Sequence, residues 1–122
     1  MRELAGWVGV GVLAAVGALA RFAVGDAVQR RVRWPFPIGT LAVNTSGSFA
    51  LGALAGAGAS GWPLRLAGAA LLGSYTTFST WIFDSQQMAS TRDLRRALLN
   101  IAGSLVLGLT AVALGWILGR MP

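Results

Sequence analysis

Four long apolar runs separated by short arginine-bearing segments make up most of the chain. They extend from Leu4 to Ala20, from Ile38 to about Ala59, from Pro63 to about Met88, and from Ala97 to Gly119. A membrane-crossing helix needs about 20 residues, rising 1.5 Å each, to cover roughly 30 Å of hydrocarbon. The last three runs reach that length. The first reaches it by continuing through Arg21-Phe22-Ala23-Val24, with the guanidinium snorkelling or buried. No stretch reads as a strand. The pattern therefore predicts one all-α membrane domain over residues 1–122, with four transmembrane helices at about 4–24, 38–59, 63–88 and 97–119.

The third run carries an internal contradiction. It has no charge from Leu66 to Phe83, yet Gly73-Ser74-Tyr75-Thr76-Thr77-Phe78-Ser79-Thr80-Trp81 is crowded with Ser and Thr. Gly costs about 1 kcal/mol inside a helix, and Ser and Thr compete for backbone hydrogen bonds. Unwound backbone survives at membrane depth only where protein buries it or where it lines a wet cavity. The stretch predicts a third helix broken mid-membrane, at a site that handles an ion.

Composition narrows the chemistry. Of 122 residues, 55% are hydrophobic and 11% charged, with a mean hydropathy of +0.65. A soluble domain carries roughly twice that charged fraction. The 17 glycines suit close helix packing in lipid. There is no Cys and no His, so thiol chemistry is excluded and the commonest general base and metal ligand are missing. Asp84 and Glu3 are the only acids outside the arginine-bearing loops. No enzyme chemistry follows from such an inventory.

Every positive side chain is Arg, and the net charge is +6. Because these arginines flank apolar runs, they read as membrane anchors and not as a nucleic-acid surface. Residues 25–37 are expected to form the first loop, with Arg30, Arg31, Arg33 and an interfacial Trp34. The third loop, about residues 89–96, adds Arg92, Arg95 and Arg96. The opposite side carries Arg2, Arg65 and Arg120. The positive-inside rule then places the first and third loops in the cytoplasm and both termini outside. Arg2 and the Ala18-Leu19-Ala20 triplet resemble a signal peptide, but Glu3 and the continuation past Arg21 favour a retained helix.

Within the second run, Thr40, Asn44 and Ser48 recur every four residues and share one helical face. Either a packing seam or an amide presented to an anion explains that face. Asn100, Ser104 and Gly108 repeat the spacing in the fourth run, again with packing as the alternative. Phe78 and Trp81 lie one turn apart among hydroxyls. The positive edge of an aromatic ring meets a small anion without the full charge that would hold it too tightly. No acid lies deep in a span, which argues against proton-coupled transport.

At these residues the chain resembles the Fluc/CrcB family of fluoride channels. The resemblance is carried by Gly17-Ala18-Leu19-Ala20-Arg21-Phe22, by Gly39-Thr40-Leu41 with Asn44, Gly47, Phe49 and Gly52, and by Thr76-Thr77-Phe78-Ser79-Thr80. Asn100, Gly103 and Ser104 extend it into the fourth run. It covers nearly the whole chain, and the Thr-Thr-Phe-Ser-Thr string after the Gly-Thr-Leu…Asn block is its most specific feature.

The resemblance implies antiparallel dimers of four-helix subunits, of the dual-topology type, in the plasma membrane. It implies passive fluoride export that confers fluoride resistance. Asn44 would be the pore asparagine, Phe78 the first of two ring-edge phenylalanines, and Ser104 a member of a polar track, with Thr40, Ser79 and Thr80 contributing. Backbone carbonyls of Gly73 and Thr76 would hold a structural Na⁺ at the dimer centre, and Arg21 would sit at a vestibule or interface. Trp81 stands where the family has its second phenylalanine, Gly108 where a hydroxyl is often found, and Asp84 where the acid is usually Glu. The indole is expected to keep a positive edge and to add an N–H donor. The charge bias between loops favours one orientation, so the antiparallel partner is a second copy or a paired sibling chain. Two other readings are a small multidrug-type exporter, which needs a membrane-embedded Glu that the first run lacks, and a non-transporting membrane subunit.

Overall fold

A computed structural model describes residues 1–122. The chain is entirely helical and turns, with no strand. Helix α1 spans Arg2–Val32 and α2 spans Ile38–Gly56. A short α3, Gly61–Pro63, leads into a π-helical segment, Leu64–Leu72, and then into α4, Gly73–Tyr75. Helix α5 covers Phe78–Ser90 and α6 covers Leu94–Arg120.

The helix ends differ from the sequence expectation at both arginine-rich loops. Helix α1 continues through residues 25–32 instead of yielding to a loop at Gly25. No breaker occurs before Pro35, and Asp26 pairs with Arg30 one turn later at 2.7 Å. Only Arg33, in the left-handed conformation at φ 50°, stops it. The loop at residues 89–96 contracts to Thr91, Arg92 and Asp93, because the Asp93 carboxylate accepts the Arg96 backbone N–H at 3.2 Å and caps α6. Helix α2 stops at Gly56, ahead of a turn at Ala57 and Gly58.

Helices α2 and α6 form the tightest seam. A β-carbon placed on Gly52 would collide with the Val112 backbone, and one on Gly115 with the Phe49 carbonyl. Two glycines from opposite directions thus let the backbones touch, and close packing replaces the hydrophobic drive that is absent in lipid. Helix α1 packs on α2 and on the π-helical segment, and Gly17 lies flat against the Leu71 carbonyl and the Ser74 hydroxyl.

The interior is small, whereas Leu4, Trp7, Leu19, Phe22, Leu98, Leu105, Leu109 and Leu114 are all exposed. So large an apolar surface is stable only against lipid or another protein. Three helices, α1, α2 and α6, are long and apolar enough to cross a membrane. The remaining stretch, residues 61–90, consists of shorter helical pieces in series.

Candidate functional site

The site is built around two residues that refuse the helix. After Tyr75, Thr76 (φ −76°, ψ 158°) and Thr77 (φ −143°, ψ 122°) are extended, and α5 begins at Phe78. The freed backbone groups of Thr77 and the Thr76 N–H each find a particular partner. The Thr76 N–H bonds the Leu72 carbonyl at 3.0 Å, and the Thr76 hydroxyl donates to the same oxygen at 3.1 Å. The Thr77 N–H, which an unbroken helix would send to the Gly73 carbonyl, instead reaches Asn44 Oδ1 at 2.8 Å. Asn44 Nδ2 donates back to the Thr77 carbonyl at 2.9 Å. The Thr77 hydroxyl accepts the Thr80 N–H at 3.2 Å and so caps α5.

This arrangement leaves the Gly73 carbonyl without its helical partner, and no backbone donor reaches the Thr76 carbonyl. Both are neutral, hard oxygen donors at one break in the chain. They fit an alkali cation, whose ligands are oxygens, far better than a metal that needs imidazole, thiolate or clustered carboxylates.

Two cavities meet at Thr77. One, of about 700 Å³, is lined by Asn44, Gly73, Thr76, Phe78, Trp81 and Ser104 among mostly apolar neighbours. The other, of about 510 Å³, is more polar and is lined by Arg21, Thr40, Ser79, Thr80, Asp84 and Gln29. Asn44, Gly73, Thr76, Phe78, Trp81 and Ser104 thus share the larger cavity, Arg21, Thr40, Ser79 and Thr80 share the polar one, Thr77 lines both, and Asn100 of the fourth-run stripe lines neither. Thr40, Asn44 and Ser48, which share a helical face, are divided: Thr40 opens on the polar cavity, Asn44 and Ser48 on the larger one.

In the larger cavity Phe78 is 70% exposed. Its ring lies edge-to-face with Trp81, with centroids 5.5 Å apart at 79°. Trp81 has the added N–H donor of the indole, and gives it to the Asn100 carbonyl at 3.1 Å. Asn100 Nδ2 donates to Ser85 Oγ at 2.8 Å, Ser85 Oγ donates to the Trp81 carbonyl at 2.9 Å, and Ser104 Oγ donates to Asn100 Oδ1 at 3.4 Å. In the polar cavity the Thr40 hydroxyl donates to Asp84 Oδ2 at 3.3 Å. Arg21 makes no ion pair and stands 5.6 Å from the Phe22 ring centroid.

Several organising residues escape a reading by spacing. Gln29 donates to the carbonyls of Trp34 and Phe36, at 2.9 and 3.1 Å, and accepts the Gly39 N–H at 2.9 Å. It thereby staples the first loop to the start of α2, and Gln29, Pro35, Pro37 and Gly39 all line the polar cavity. A glutamine in a presumed loop gives no sequence signal of that role. Thr77 did carry one, since Thr is a preferred residue at a helix N-cap. Ser85 lies one turn beyond Trp81 but outside the hydroxyl-rich stretch.

Comparison with known proteins bears on the same residues. The family model described as CrcB-like protein, Camphor Resistance (CrcB), matches residues 8–116. A protein of Mycolicibacterium paratuberculosis named Fluoride-specific ion channel FluC 2 is 47% identical over 121 residues, covering 99% of both chains. A Symbiobacterium thermophilum protein named Fluoride-specific ion channel FluC 1 is 44% identical over 119 residues, covering 93% of this chain and 96% of its own. A Haloarcula marismortui protein, also named Fluoride-specific ion channel FluC 2, is 40% identical over 107 residues, covering 88% of this chain and 87% of its own. Since the family match begins within α1 and ends within α6, taking in the break and both cavities between them, this chain belongs to the CrcB family.

Proposed function

We propose that this chain is a fluoride channel that lets cytoplasmic fluoride leave the cell passively across the plasma membrane. The names of its relatives support the transported ion. The observation that carries the reading is the Asn44–Thr77 junction, where a polar cavity holding an unpaired Arg21 adjoins a cleft lined by an amide and ring edges. Fluoride is small and strongly hydrated, so a pore must replace its water with several donors. Thr40, Ser79 and Thr80 offer hydroxyls on the Arg21 side. Beyond Thr77, Asn44 has a second amide hydrogen besides the one given to Thr77, Phe78 and Trp81 have ring edges, and Ser104 has a hydroxyl. Weak donors in series let an ion both enter and leave. Arg21 raises the local anion concentration at the entrance.

The working form in this reading is an antiparallel dimer. Exposed Phe78 and the open larger cavity would be completed by a second chain inserted the other way. The third span would comprise residues 61–90, with Thr76 and Thr77 as its mid-membrane break. The Gly73 and Thr76 carbonyls would hold a Na⁺ shared by both chains, and the ion would supply a fixed positive field and join the breaks. The arginine bias places both termini outside and favours a sibling chain of opposite orientation as the partner.

Efflux of fluoride from reconstituted vesicles, followed with a fluoride electrode, tests the reading. Rapid release with the protein, alone or with its sibling, and retention without it are expected. Retention in both cases overturns it.

A further inference from the structure

Tryptophan is the only ring in the larger cavity that brings a strong hydrogen-bond donor, and a donor in a fluoride path matters. A neutral N–H aimed at the ion would bind it more tightly than a C–H edge. Which side of the Trp81 indole faces the cleft is therefore decisive, and the hydrogen bonds answer it. Nε1–H points to the Asn100 carbonyl at 3.1 Å. Asn100 is 2% exposed and lines neither cavity. The N–H corner is thus turned into the α5–α6 packing, while Trp81 itself lines the cleft.

Asn100 also secures the backbone from which the ring hangs. Its Nδ2 bonds Ser85 Oγ at 2.8 Å and lies 3.5 Å from the Trp81 carbonyl, and Ser85 Oγ bonds that carbonyl at 2.9 Å. The Asn100 side chain thus braces the Trp81 carbonyl, while the Asn100 main-chain carbonyl takes the indole N–H. Buried polar groups so connected rigidify their surroundings, because each loses a partner in a hydrophobic setting if it moves.

We propose that Asn100 is a positioning residue that clamps Trp81, so that the indole presents its C–H edge and not its N–H to the passing anion. For its effect on conduction the proposal rests on the fluoride-channel reading above. The indole then acts toward fluoride as a phenylalanine would. A direct N–H ligand would slow release.

The test combines a spectroscopic and a transport measurement on the full chain in its dimeric form. In ¹⁵N-labelled protein the Trp81 indole N–H resonance is assigned by its loss in Trp81→Phe. It is expected to exchange slowly with D₂O and to stay in place as fluoride is added. Asn100→Ala keeps the backbone carbonyl that accepts the indole N–H but removes the side-chain amide that braces the Trp81 carbonyl through Ser85, so it is expected to loosen the ring, speed indole exchange and lower efflux about tenfold, the scale of a buried polar group losing a partner. If Asn100→Ala does not fold, Ser85→Ala removes the same brace from its other side and is expected to speed exchange in the same direction.

An indole N–H that exchanges freely in the native protein, or that shifts as fluoride is added, overturns the proposal, and so does unchanged indole exchange together with native efflux in Asn100→Ala and Ser85→Ala. Native vesicles that retain fluoride overturn the channel reading and Asn100's role in conduction with it. A slowly exchanging indole in those same vesicles would still uphold the clamp itself.

Discussion

Asn44 and Thr77 close a two-bond ring between a side-chain amide on α2 and the main chain at the break, with Nδ2 2.9 Å from the Thr77 carbonyl and Oδ1 2.8 Å from its N–H. An asparagine here substitutes for the helical bonds that Thr77 has given up. Two substitutions separate its structural role from its role toward the anion. Asn44→Ala leaves both backbone groups of Thr77 unpaired and is expected to cost about 2 kcal/mol or more, read as a lower thermal-unfolding midpoint. Asn44→Asp keeps an acceptor for the Thr77 N–H, loses the donor, and sets a negative charge beside the path. It is expected to abolish fluoride efflux while destabilising the fold less than the alanine does. Near-native efflux in Asn44→Asp would remove Asn44 from the pathway.

Thr77 also holds the start of α5, through its hydroxyl and the Thr80 N–H at 3.2 Å. Thr77→Ala removes the cap and is expected to cost about 1 kcal/mol. Thr77→Ser preserves the oxygen and is expected to restore most of that. Since Thr77 lines both cavities, the alanine should also lower efflux, whereas a change in stability alone would confine Thr77 to capping.

Much of this was legible in the sequence, for identifiable reasons. Apolar runs longer than the hydrocarbon thickness announce spans. The Gly73–Trp81 stretch announces a conflict between helix propensity and burial, and the chain leaves the helix inside it, at Thr76 and Thr77. Small residues at helical spacing mark the faces that touch, as Gly52 does against Val112. What spacing does not contain is the partner of each polar group. Thr40, Asn44 and Ser48 lie on one face of α2, yet they open on different cavities because α5 starts between them. The acceptor of the Trp81 N–H is hidden for the same reason: it is a backbone carbonyl, and every residue has one. Helix α1 outruns the expected loop because arginines end an apolar run without ending a helix, and the backbone is indifferent to them until Arg33.

The α2–α6 seam makes a prediction about stability independent of transport. Gly115 lies against the Phe49 carbonyl and the Ala53 N–H, so any side chain there must push the α2 and α6 backbones apart. Gly115→Val is expected to destabilise by about 3 kcal/mol, the upper range for overpacking, and to lower the yield of folded protein in detergent. Gly11 offers the contrast, with nothing in the chain near its would-be β-carbon. Gly11→Ala is expected to be neutral or to stabilise by up to about 1 kcal/mol through helix propensity. Comparable losses for the two variants would mean that α2 and α6 do not approach as described.

The uneven distribution of arginines makes a prediction about orientation. Arg30, Arg31, Arg33, Arg92, Arg95 and Arg96 flank the two turns at one end of the bundle, against Arg2, Arg65 and Arg120 toward the other. Asp26 and Asp93 pair with two of the first group, at 2.7 and 3.2 Å, but lie on the same side and so leave the excess in place. Acidic residues count little in topology, so the bias should act through the arginines themselves. The chain has no cysteine, so one placed at the exposed end of α5, Ser90→Cys, reports its side of the membrane without background. A membrane-impermeant thiol reagent is expected to label it in inside-out vesicles and to spare it in intact spheroplasts. Replacing Arg92, Arg95 and Arg96 by Gln should bring the two labelling levels together. Equal labelling in the unaltered loop would show that the chain inserts both ways, and a partner of opposite bias would then be unnecessary.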